Sequence, residues 1–588
     1  MNSLFLLIIA VLAFVFGYRF YSKFLSLGVF RLDINYSTPA HRRTDGDYTF
    51  ASRHLLFGHH LAAIAAGTTL IGSAVALIWG WIPAFLWMVV GSAVAAGTYG
   101  LGSLWLSVRH PGLGAAELAG KFIGPRACEL FFLLALALLL IMNAVFALLA
   151  AQLFAAYPAA VLPFWTVVLV ALVFGQFLRG RREPELIPAS LVALLVSIMA
   201  VWLLGKVPFA FTGALNLDMR GASFVSMDAT FVWMVLMLVY SFFATHLPVR
   251  KLVRPHGYLT AVLLGFTLII LYAGVVIEHP NLIAPEFNTP PDGPGVMPWL
   301  FITLTSGAFA GFHFLITNGI TAKQLNRETD ARYVGYGAAV AEGLIALSAV
   351  LIAGTAFNSP EAWNQYFASW EGIQGLQPIL TLYIDGFVHF AAVLGLGMEF
   401  ARTLAAVVVI SLVVTTLVAG IRVQKHLLAE FAQRHRIIPS EKEGETQTAS
   451  APRAPWLARA VAPLQKDKNL LWLTVGLTAL LMFSDGQGFG GLKLWPLFGA
   501  ANLVLGVFGL LLLTLALRRV QQPMVHVLAP MVLLALFASW ALIAQLGKWW
   551  QTGHWLLFGL GLILLLIELA VILEAVMTLK SRASTPTA

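Results

Sequence analysis

Residues 130–150 read LFFLLALALLLIMNAVFALLA, a run that contains no charged side chain. A helix needs about 20 mostly apolar residues to cross the hydrocarbon core of a bilayer. Over the whole chain 59% of the residues are hydrophobic and 11% are charged, whereas soluble proteins carry about 25% charged residues. The composition excludes a soluble enzyme, a nucleic-acid-binding module and a disordered scaffold. It predicts an all-α polytopic membrane protein.

Apolar stretches long enough to span a bilayer recur along the chain and predict about fifteen transmembrane helices. They lie at residues 3–22, 61–78, 82–106, 128–150, 159–178, 187–205, 229–247, 259–277, 297–320, 335–357, 400–420, 470–484, 495–517, 524–544 and 555–578. A further stretch at 378–397 contains Asp385, Gly386 and His389. Because irregular backbone inside a membrane is tolerated only against protein or water, we expect this stretch to be re-entrant or to lie at the membrane interface.

Lysine and arginine are concentrated in every second loop, and loops of this kind remain in the cytoplasm. This alternation predicts an N-terminus outside and a C-terminus inside the cell. It also explains the net charge of +9 as a signal of topology, so no nucleic-acid partner is expected. The single cysteine, Cys128, excludes a disulfide framework and cysteine-ligated zinc or iron–sulfur sites within one chain.

The distribution of polar residues suggests four regions. Residues 1–60 form an N-terminal span with a cytoplasmic loop, and residues 61–420 form a core of spans. Residues 421–469 read as a polar cytoplasmic linker, and residues 470–588 as an accessory group of C-terminal helices.

The second span contains the run GTTLIGS at residues 67–73. Two glycines around Thr68 and Thr69 weaken a helix and supply hydroxyl groups. A break at Gly67 would expose backbone groups in the middle of the bilayer, where transporters build substrate and ion sites. A small-residue packing face is the alternative interpretation. His59 and His60 precede the run and are candidates for proton handling, for haem or metal ligation, or for simple helix capping.

The seventh span ends in YSFFATHLP at residues 240–248, where Pro248 removes a backbone donor. Ser241, Thr245 and His246 are the candidate site residues here. This span comes five spans after the second and runs in the opposite direction. We therefore expect a second break near Ser241 and an inverted five-plus-five repeat, with helix N-termini at the two breaks available to a carboxylate.

The ninth and tenth predicted spans also carry polar groups that are costly in lipid. Ser306, His313, Thr317 and Asn318 lie in the ninth, where a histidine hydrogen-bonded to a neighbouring helix is the alternative to a binding role. Glu342 lies about seven residues into the tenth, roughly 10 Å deep. It is the preferred candidate for the proton-coupling acid, ahead of Glu568 in the last span.

Several of these segments resemble the carbon starvation protein A family of bacterial inner-membrane transporters. The resemblance is carried by FGHH at 57–60 with AAIA at 62–65, the region 298–305 with GFH at 311–313, GYG at 335–337 with Glu342, and LWPLFGAAN at 494–502. It implies a proton- or sodium-coupled symporter in the inner membrane that takes up small carboxylates such as pyruvate, or peptides and amino acids, during starvation. It also implies the inverted-repeat core of amino-acid and polyamine transporters, and no cofactor.

The sequence departs from the family pattern at three places. Thr68 and Ser73 stand where prolines are usual, Tyr99 and Gly100 where a Gln-Asp pair is usual, and Val418 where an aspartate is usual. A different ion coupling or substrate is therefore expected. A non-transporting nutrient sensor and, further off, a haem-binding membrane protein are the alternative functions.

Overall fold

The computed structural model describes residues 1–43, 46–65, 67–111, 113–178, 185–211, 215–219, 222–290, 293–308, 310–370, 372–434 and 467–583. This part of the chain is almost entirely helical, as its composition predicts. The only strands in it form a two-stranded antiparallel hairpin, Leu215–Met219 with Ala222–Met227. Residues 435–466, most of the predicted linker, lie outside the described residues.

The helices of the membrane body are numbered here in chain order. They are α1 (Ser3–Val29), α2 (Arg53–Ile64), α3 (Gly67–Trp79), α4 (Trp81–Arg109), α5 (Pro125–Ala156), α6 (Pro158–Phe177), α7 (Leu186–Leu204), α8 (Ala229–His246), α9 (Val253–Glu278), α10 (Val296–Ala308), α11 (Gly311–Ile316), α12 (Arg332–Thr355), α13 (Leu376–Val393), α14 (Met398–Arg434), α15 (Asp467–Met482), α16 (Gly490–Arg519), α17 (Val525–Thr552) and α18 (Trp555–Ala583). Short helices at Pro39–Arg42, Ala115–Phe122 and Pro360–Tyr366 connect them.

Helices occur at all fifteen predicted positions. Within the described ranges, 13 helices are long and apolar enough to cross a membrane, or up to 14 when α2 and α3 are counted as one bent span. α15 is shorter, with 16 residues, and the ninth predicted span is divided into α10 and α11. The prediction of an all-α polytopic membrane protein is confirmed.

The two ends of the helix bundle differ in charge. We call the end that carries Arg254, Arg332 and Arg422 the basic end, and the end that carries Trp79 and Glu278 the opposite end. α2 and α3 run from the basic end to the opposite end. α10 and α11 run the other way, because Asn288, ahead of α10, donates its backbone N–H to the Trp79 carbonyl (3.0 Å).

The residues before α13 and the last turns of α13 have contacts at the opposite end of the bundle. Trp370, before α13, lies 5.2 Å from Trp79 between ring centroids. His389, near the end of α13, contacts Glu278 at 2.9 Å. Between them Leu380 packs against Gly67, in the middle of the bent span. α13 is one continuous helix of 18 residues and is among the 13 described helices long enough to cross a membrane, so the re-entrant path stays a prediction.

α14 and α16 form the centre of the body, since their most apolar windows are completely buried by other helices. α14 continues through residue 420 to Arg434, so the predicted end of the core falls inside one helix. α16, expected in an accessory group, packs against the core: Gly491 lies against Ala144 of α5 and Gly509 against Tyr99 of α4.

α4 and α12 cross where each helix has a glycine, Gly100 in α4 and Gly335 in α12, so no side chain separates the two backbones. A Cβ on Gly100 would lie 2.7 Å from the Gly335 carbonyl oxygen, and a Cβ on Gly335 would lie 2.5 Å from the Gly100 carbonyl oxygen. No side chain of any size fits between these helices. The crossing therefore fixes the position of α12, which carries Glu342.

We predict that Gly100→Val separates α4 from α12 and destabilises the protein, because overpacking of a close contact costs about 1–3 kcal/mol. Gly265→Val is the matched control, since a Cβ on Gly265, also within a spanning helix, meets nothing within 4 Å. Thermal unfolding of both purified variants in detergent measures the difference. Equal melting temperatures for the two variants would contradict this account of the crossing.

Candidate functional site

The second predicted span is interrupted where the glycine–threonine run begins. α2 ends at Ile64, Ala65 has non-helical torsions (φ −72°, ψ 61°), and α3 begins at Gly67. The two helices meet at an angle of 52°. Thr68 and Thr69 lie buried in the first turn of α3. The predicted break at Gly67 is therefore present.

The predicted break near Ser241 is wrong. α8 continues through Ser241 and ends at His246, because Pro248 lies beyond the last helical residue and removes no hydrogen bond from within the helix. The carbonyls at the end of α8 are satisfied by Arg422 of α14, whose Nη2 donates to Leu247 (2.6 Å), Thr245 (3.0 Å) and Ala244 (3.4 Å).

The second interruption lies in the ninth predicted span, between Ala308 of α10 and Gly311 of α11. It runs antiparallel to the first, as expected, but it follows the first by seven predicted spans instead of five. The Ser306 side chain lies outside the described residues. Gly311 begins α11 directly against Leu505 and Asn502 of α16, where a Cβ would lie 2.8 Å from the Asn502 carbonyl oxygen.

The two interrupted helices meet at Glu342. Its Oε1 accepts a hydrogen bond from Thr69 Oγ1 (2.8 Å), and His313 Nε2 lies 3.6 Å from the same oxygen. Its Oε2 is buried and has no hydrogen-bond partner among the residues that the structure describes. The carboxyl group therefore joins α3, α11 and α12 and has one oxygen available to a proton, a cation or a ligand donor. We call Thr69, His313 and Glu342 the central cluster.

His60 and His59 lie between the central cluster and the basic end. His60 Nδ1 lies 2.9 Å from Thr321 Oγ1, in the turn that follows α11. His59 is completely buried, packs over Gly257 of α9, and neither ring nitrogen has a partner. Neither ring lies in a group able to hold a metal, because no three His, Cys, Asp or Glu side chains in the described part of the chain are arranged for one.

The remaining predicted residues of α11 and the turn after it contribute to helix packing. Asn318 accepts a hydrogen bond from Ser107 of α4 through Oδ1 and donates to the Phe314 carbonyl through Nδ2 (2.8 Å). Thr317 is buried beside it. Neither belongs to the central cluster.

Ser241, Thr245 and His246 lie at the basic end instead of in the membrane centre. The Ser241 and Thr245 hydroxyl groups are buried without partners. Thr245 and His246 line a cavity of about 440 Å³ that opens at the basic end. The predicted site residues therefore separate into the central cluster and a second group about this cavity.

The sequence analysis missed the ion pair at this cavity. Asp47 contacts Arg422 Nη1 through Oδ1 (2.8 Å) and His426 Nε2 through Oδ2 (2.7 Å). Burial alone would raise the pKa of Asp47, but the Arg422 charge and the His426 hydrogen bond outweigh it and hold the pKa well below its usual range. Arg422 and His426 are one helical turn apart, a signal that the sequence does contain. Nothing in the sequence singles out Asp47.

Asn502 was also missed as an individual site residue, although the motif LWPLFGAAN ends with it. Its Oδ1 accepts the backbone N–H of Phe312 (3.0 Å), one of the donors left free at the start of α11. Through this hydrogen bond, the motif in α16 stabilises the start of α11 at the second interruption.

A second cavity, of about 470 Å³, approaches from the opposite end. Its lining includes Thr68, Gly72, Trp299, Thr303, Trp495 and Gln545. Thr68 precedes the Thr69 that binds Glu342. The central cluster thus lies between a cavity at each end of the bundle.

We predict that Arg422→Gln strongly destabilises the protein, because it leaves buried Asp47 without its charge partner; such losses cost about 3–5 kcal/mol. Arg402→Gln is the control on the same helix. Arg402 pairs with Asp385 at 3.2 Å, but both side chains are at least half exposed, and exposed pairs contribute below about 1 kcal/mol. Thermal unfolding in detergent compares them. A similar loss in both variants would contradict the assignment of Arg422 as a buried structural charge.

The amino-acid sequence of this chain is similar to those of several proteins named as transporters. The peptide transporter CstA of Helicobacter pylori strain J99 is 30% identical over 560 residues, which cover 89% of this chain and 78% of that protein. The pyruvate/proton symporter BtsT of Escherichia coli K12 is 28% identical over 596 residues, covering 92% and 81%. The peptide transporter CstA of Campylobacter jejuni is 31% identical over 364 residues, covering 60% of this chain and half of that protein.

Among solved structures, a Na⁺-coupled sialic acid symporter aligns with 98% of this chain and 97% of its own at 11% identity, with a TM-score of 0.38. That score is too low to support an argument about shared architecture. The family model described as "Carbon starvation protein CstA" matches residues 2–368 and 364–541. The chain belongs to the carbon starvation protein CstA family.

Proposed function

We propose that this protein is a secondary active transporter, not an enzyme, that imports a small carboxylate or a peptide together with a proton. One observation carries the proposal: Glu342, with a free carboxyl oxygen, lies where two interrupted antiparallel helices meet between two cavities. Interrupted helices at mid-membrane are the usual place for substrate and ion sites in secondary transporters.

The start of α3 is suited to binding a carboxylate. A helix N-terminus presents free backbone N–H groups and a partial positive charge to an anion. Thr68 and Thr69 add hydroxyl groups at the same place, and Thr68 lines the cavity at the opposite end. A carboxylate entering from this cavity would therefore meet α3 within one residue of the Thr69 that binds Glu342.

Glu342 is the proposed proton-binding group. When Glu342 carries a proton, it adds no negative charge beside the bound carboxylate; when it loses the proton, the two like charges repel. Binding of substrate and proton are therefore linked through one site. His60 and His59, buried between the central cluster and the basic end, provide titratable groups along the exit for the proton.

The relatives support this substrate class and this ion. Two relatives that align with most of this chain are named as a peptide transporter and as a pyruvate/proton symporter. Peptides and pyruvate share a carboxylate, which is the group that the start of α3 can bind. The absence of acidic residues at Gly100 and Val418 leaves Glu342 as the coupling carboxyl in this region.

We predict that Glu342→Gln abolishes accumulation of substrate driven by a proton gradient, because an amide cannot exchange the proton. The protein, reconstituted in liposomes, is supplied with labelled pyruvate, labelled alanine or labelled dialanine under an inward proton gradient or an inward sodium gradient. Wild type should accumulate one of them above equilibrium with the proton gradient alone.

Glu568→Gln is the control, since Glu568 is a buried membrane carboxyl in the peripheral helix α18. This variant should accumulate substrate as wild type does. Unchanged, pH-dependent uptake by folded Glu342→Gln protein would reject Glu342 as the coupling group. Wild-type protein that accumulates none of the probes under either gradient would reject the transport proposal.

We also propose that the basic end faces the cytoplasm of the bacterial inner membrane, with the N-terminus outside, since positively charged loops remain on that side. We predict that a cysteine at Thr289, exposed at the opposite end, reacts with a membrane-impermeant maleimide in intact cells. A cysteine at Asn35, exposed at the basic end, should react only after permeabilisation. Both cysteines are introduced into the Cys128→Ala variant, so that the native thiol does not react with the maleimide. The reverse pattern would contradict the orientation.

A further inference from the structure

The cavity at the basic end is lined by charges of both signs. Its lining includes the cations Arg43, Lys323, Arg422 and Lys425 and the acids Asp47, Glu117, Glu430 and Asp467. Lys425 and Asp467 form a pair at 2.9 Å in which Asp467 is 68% exposed. The Asp47–Arg422 pair is different, because both side chains are almost fully buried at the inner wall.

Arg422 is held in place independently of Asp47. Its Nη2 donates to three carbonyls at the end of α8, whereas Nη1 alone bonds Asp47. His426 lies four residues later, on the same face of α14. Guanidinium and imidazole together therefore form a fixed pair of donors, each of which binds one oxygen of a carboxylate.

Asp47 supplies that carboxylate from outside the helices, in the loop between α1 and α2. A buried guanidinium requires an anion nearby, but nothing requires that the anion belong to this loop. Any carboxylate in the cavity could bind the same donors. Thr245 adds a further unused group: the residue lines the cavity and is 1% exposed, and its buried hydroxyl has no hydrogen-bond partner among the described residues.

We propose that Arg422, His426 and Thr245 form a second binding site for the carboxylate of the transported molecule, and that Asp47 occupies this site in the conformation described here. The inference rests on the proposed function. The cavity, at about 440 Å³, is within the range of small-molecule sites, and it is at the end where the substrate would leave.

Competition between Asp47 and the substrate for Arg422 favours release of the substrate into the cytoplasm. A substrate that arrives from the central cluster can displace Asp47 and bind Arg422. The return of Asp47 then expels the substrate into the cytoplasm and leaves Arg422 neutralised. The buried guanidinium is never without an anion during this exchange.

The direct test measures equilibrium binding of labelled pyruvate and labelled dialanine to the purified full chain, without any gradient. Asp47→Asn keeps the size of the side chain but removes the competing charge. It should bind one of these carboxylates about tenfold more tightly or better, because the competitor no longer occupies the site. Asp467→Asn, at the exposed rim of the same cavity, should bind as wild type does. Equal affinity in wild type and Asp47→Asn, or weaker binding in the latter, would overturn the proposal.

A second measurement leaves Asp47 and Arg422 intact, in case Asp47→Asn does not fold. In a Cys128→Ala background, His246→Cys places a thiol in the cavity lining, and its rate of reaction with a charged thiol reagent is followed. Pyruvate or dialanine should slow the reaction, whereas the corresponding amides, which lack the carboxylate, should not. Equal rates with acid and amide would overturn the proposal.

These outcomes are separable from those of the transport assay. If Glu342→Gln loses coupling but the substrate does not slow the reaction at residue 246, the second binding site is rejected and the transport proposal stands. Protection at residue 246 without accumulation in liposomes keeps the carboxylate site and removes the transport proposal.

Discussion

A helix that is interrupted inside a membrane must find new partners for its backbone, because hydrocarbon supplies none. This constraint organises the site. The start of α11 is bound by Asn502 of α16, and the end of α8, at the basic end, is bound by Arg422 of α14. α14 and α16, whose most apolar windows are completely buried, therefore provide the groups that complete the ends of the helices around them. We propose that the start of α3, which has the central cluster beside it, is the helix end that binds the ligand.

The buried charges have two different arrangements. Asp47 is bound on both oxygens by Arg422 and His426, and an arrangement of this kind stabilises the charged carboxylate. Glu342 has a threonine hydroxyl and a histidine near one oxygen and nothing on the other. No lysine or arginine among the described residues is paired with it, so a proton is the simplest way to neutralise it. A buried carboxyl group is thus a paired anion at Asp47, and at Glu342 we propose that it is an exchangeable proton carrier.

Much of this could be predicted from the sequence, but only where a local pattern exists. Apolar length predicts the helices, and two glycines around two threonines predict the break at Gly67. A proline predicts a break only when it lies inside a helix, and Pro248 lies two residues beyond His246, so the expected break near Ser241 was wrong. Asp47 could not have been found, since its significance comes from Arg422, which is 375 residues away along the chain. Asn502 is the intermediate case. Its motif was recognised in the sequence, but its hydrogen bond to Phe312 can be found only from the three-dimensional structure.

The central claim is that both interrupted helices and Glu342 share one binding site. Cryo-electron microscopy of the protein with saturating substrate at acidic pH tests it most directly. The account predicts density for the substrate carboxylate at the start of α3, within hydrogen-bonding distance of Thr68 or Thr69 and beside Glu342. Substrate density confined to a place that contacts neither interrupted helix, with side chains of the protein filling the space between Thr69 and His313, would contradict it.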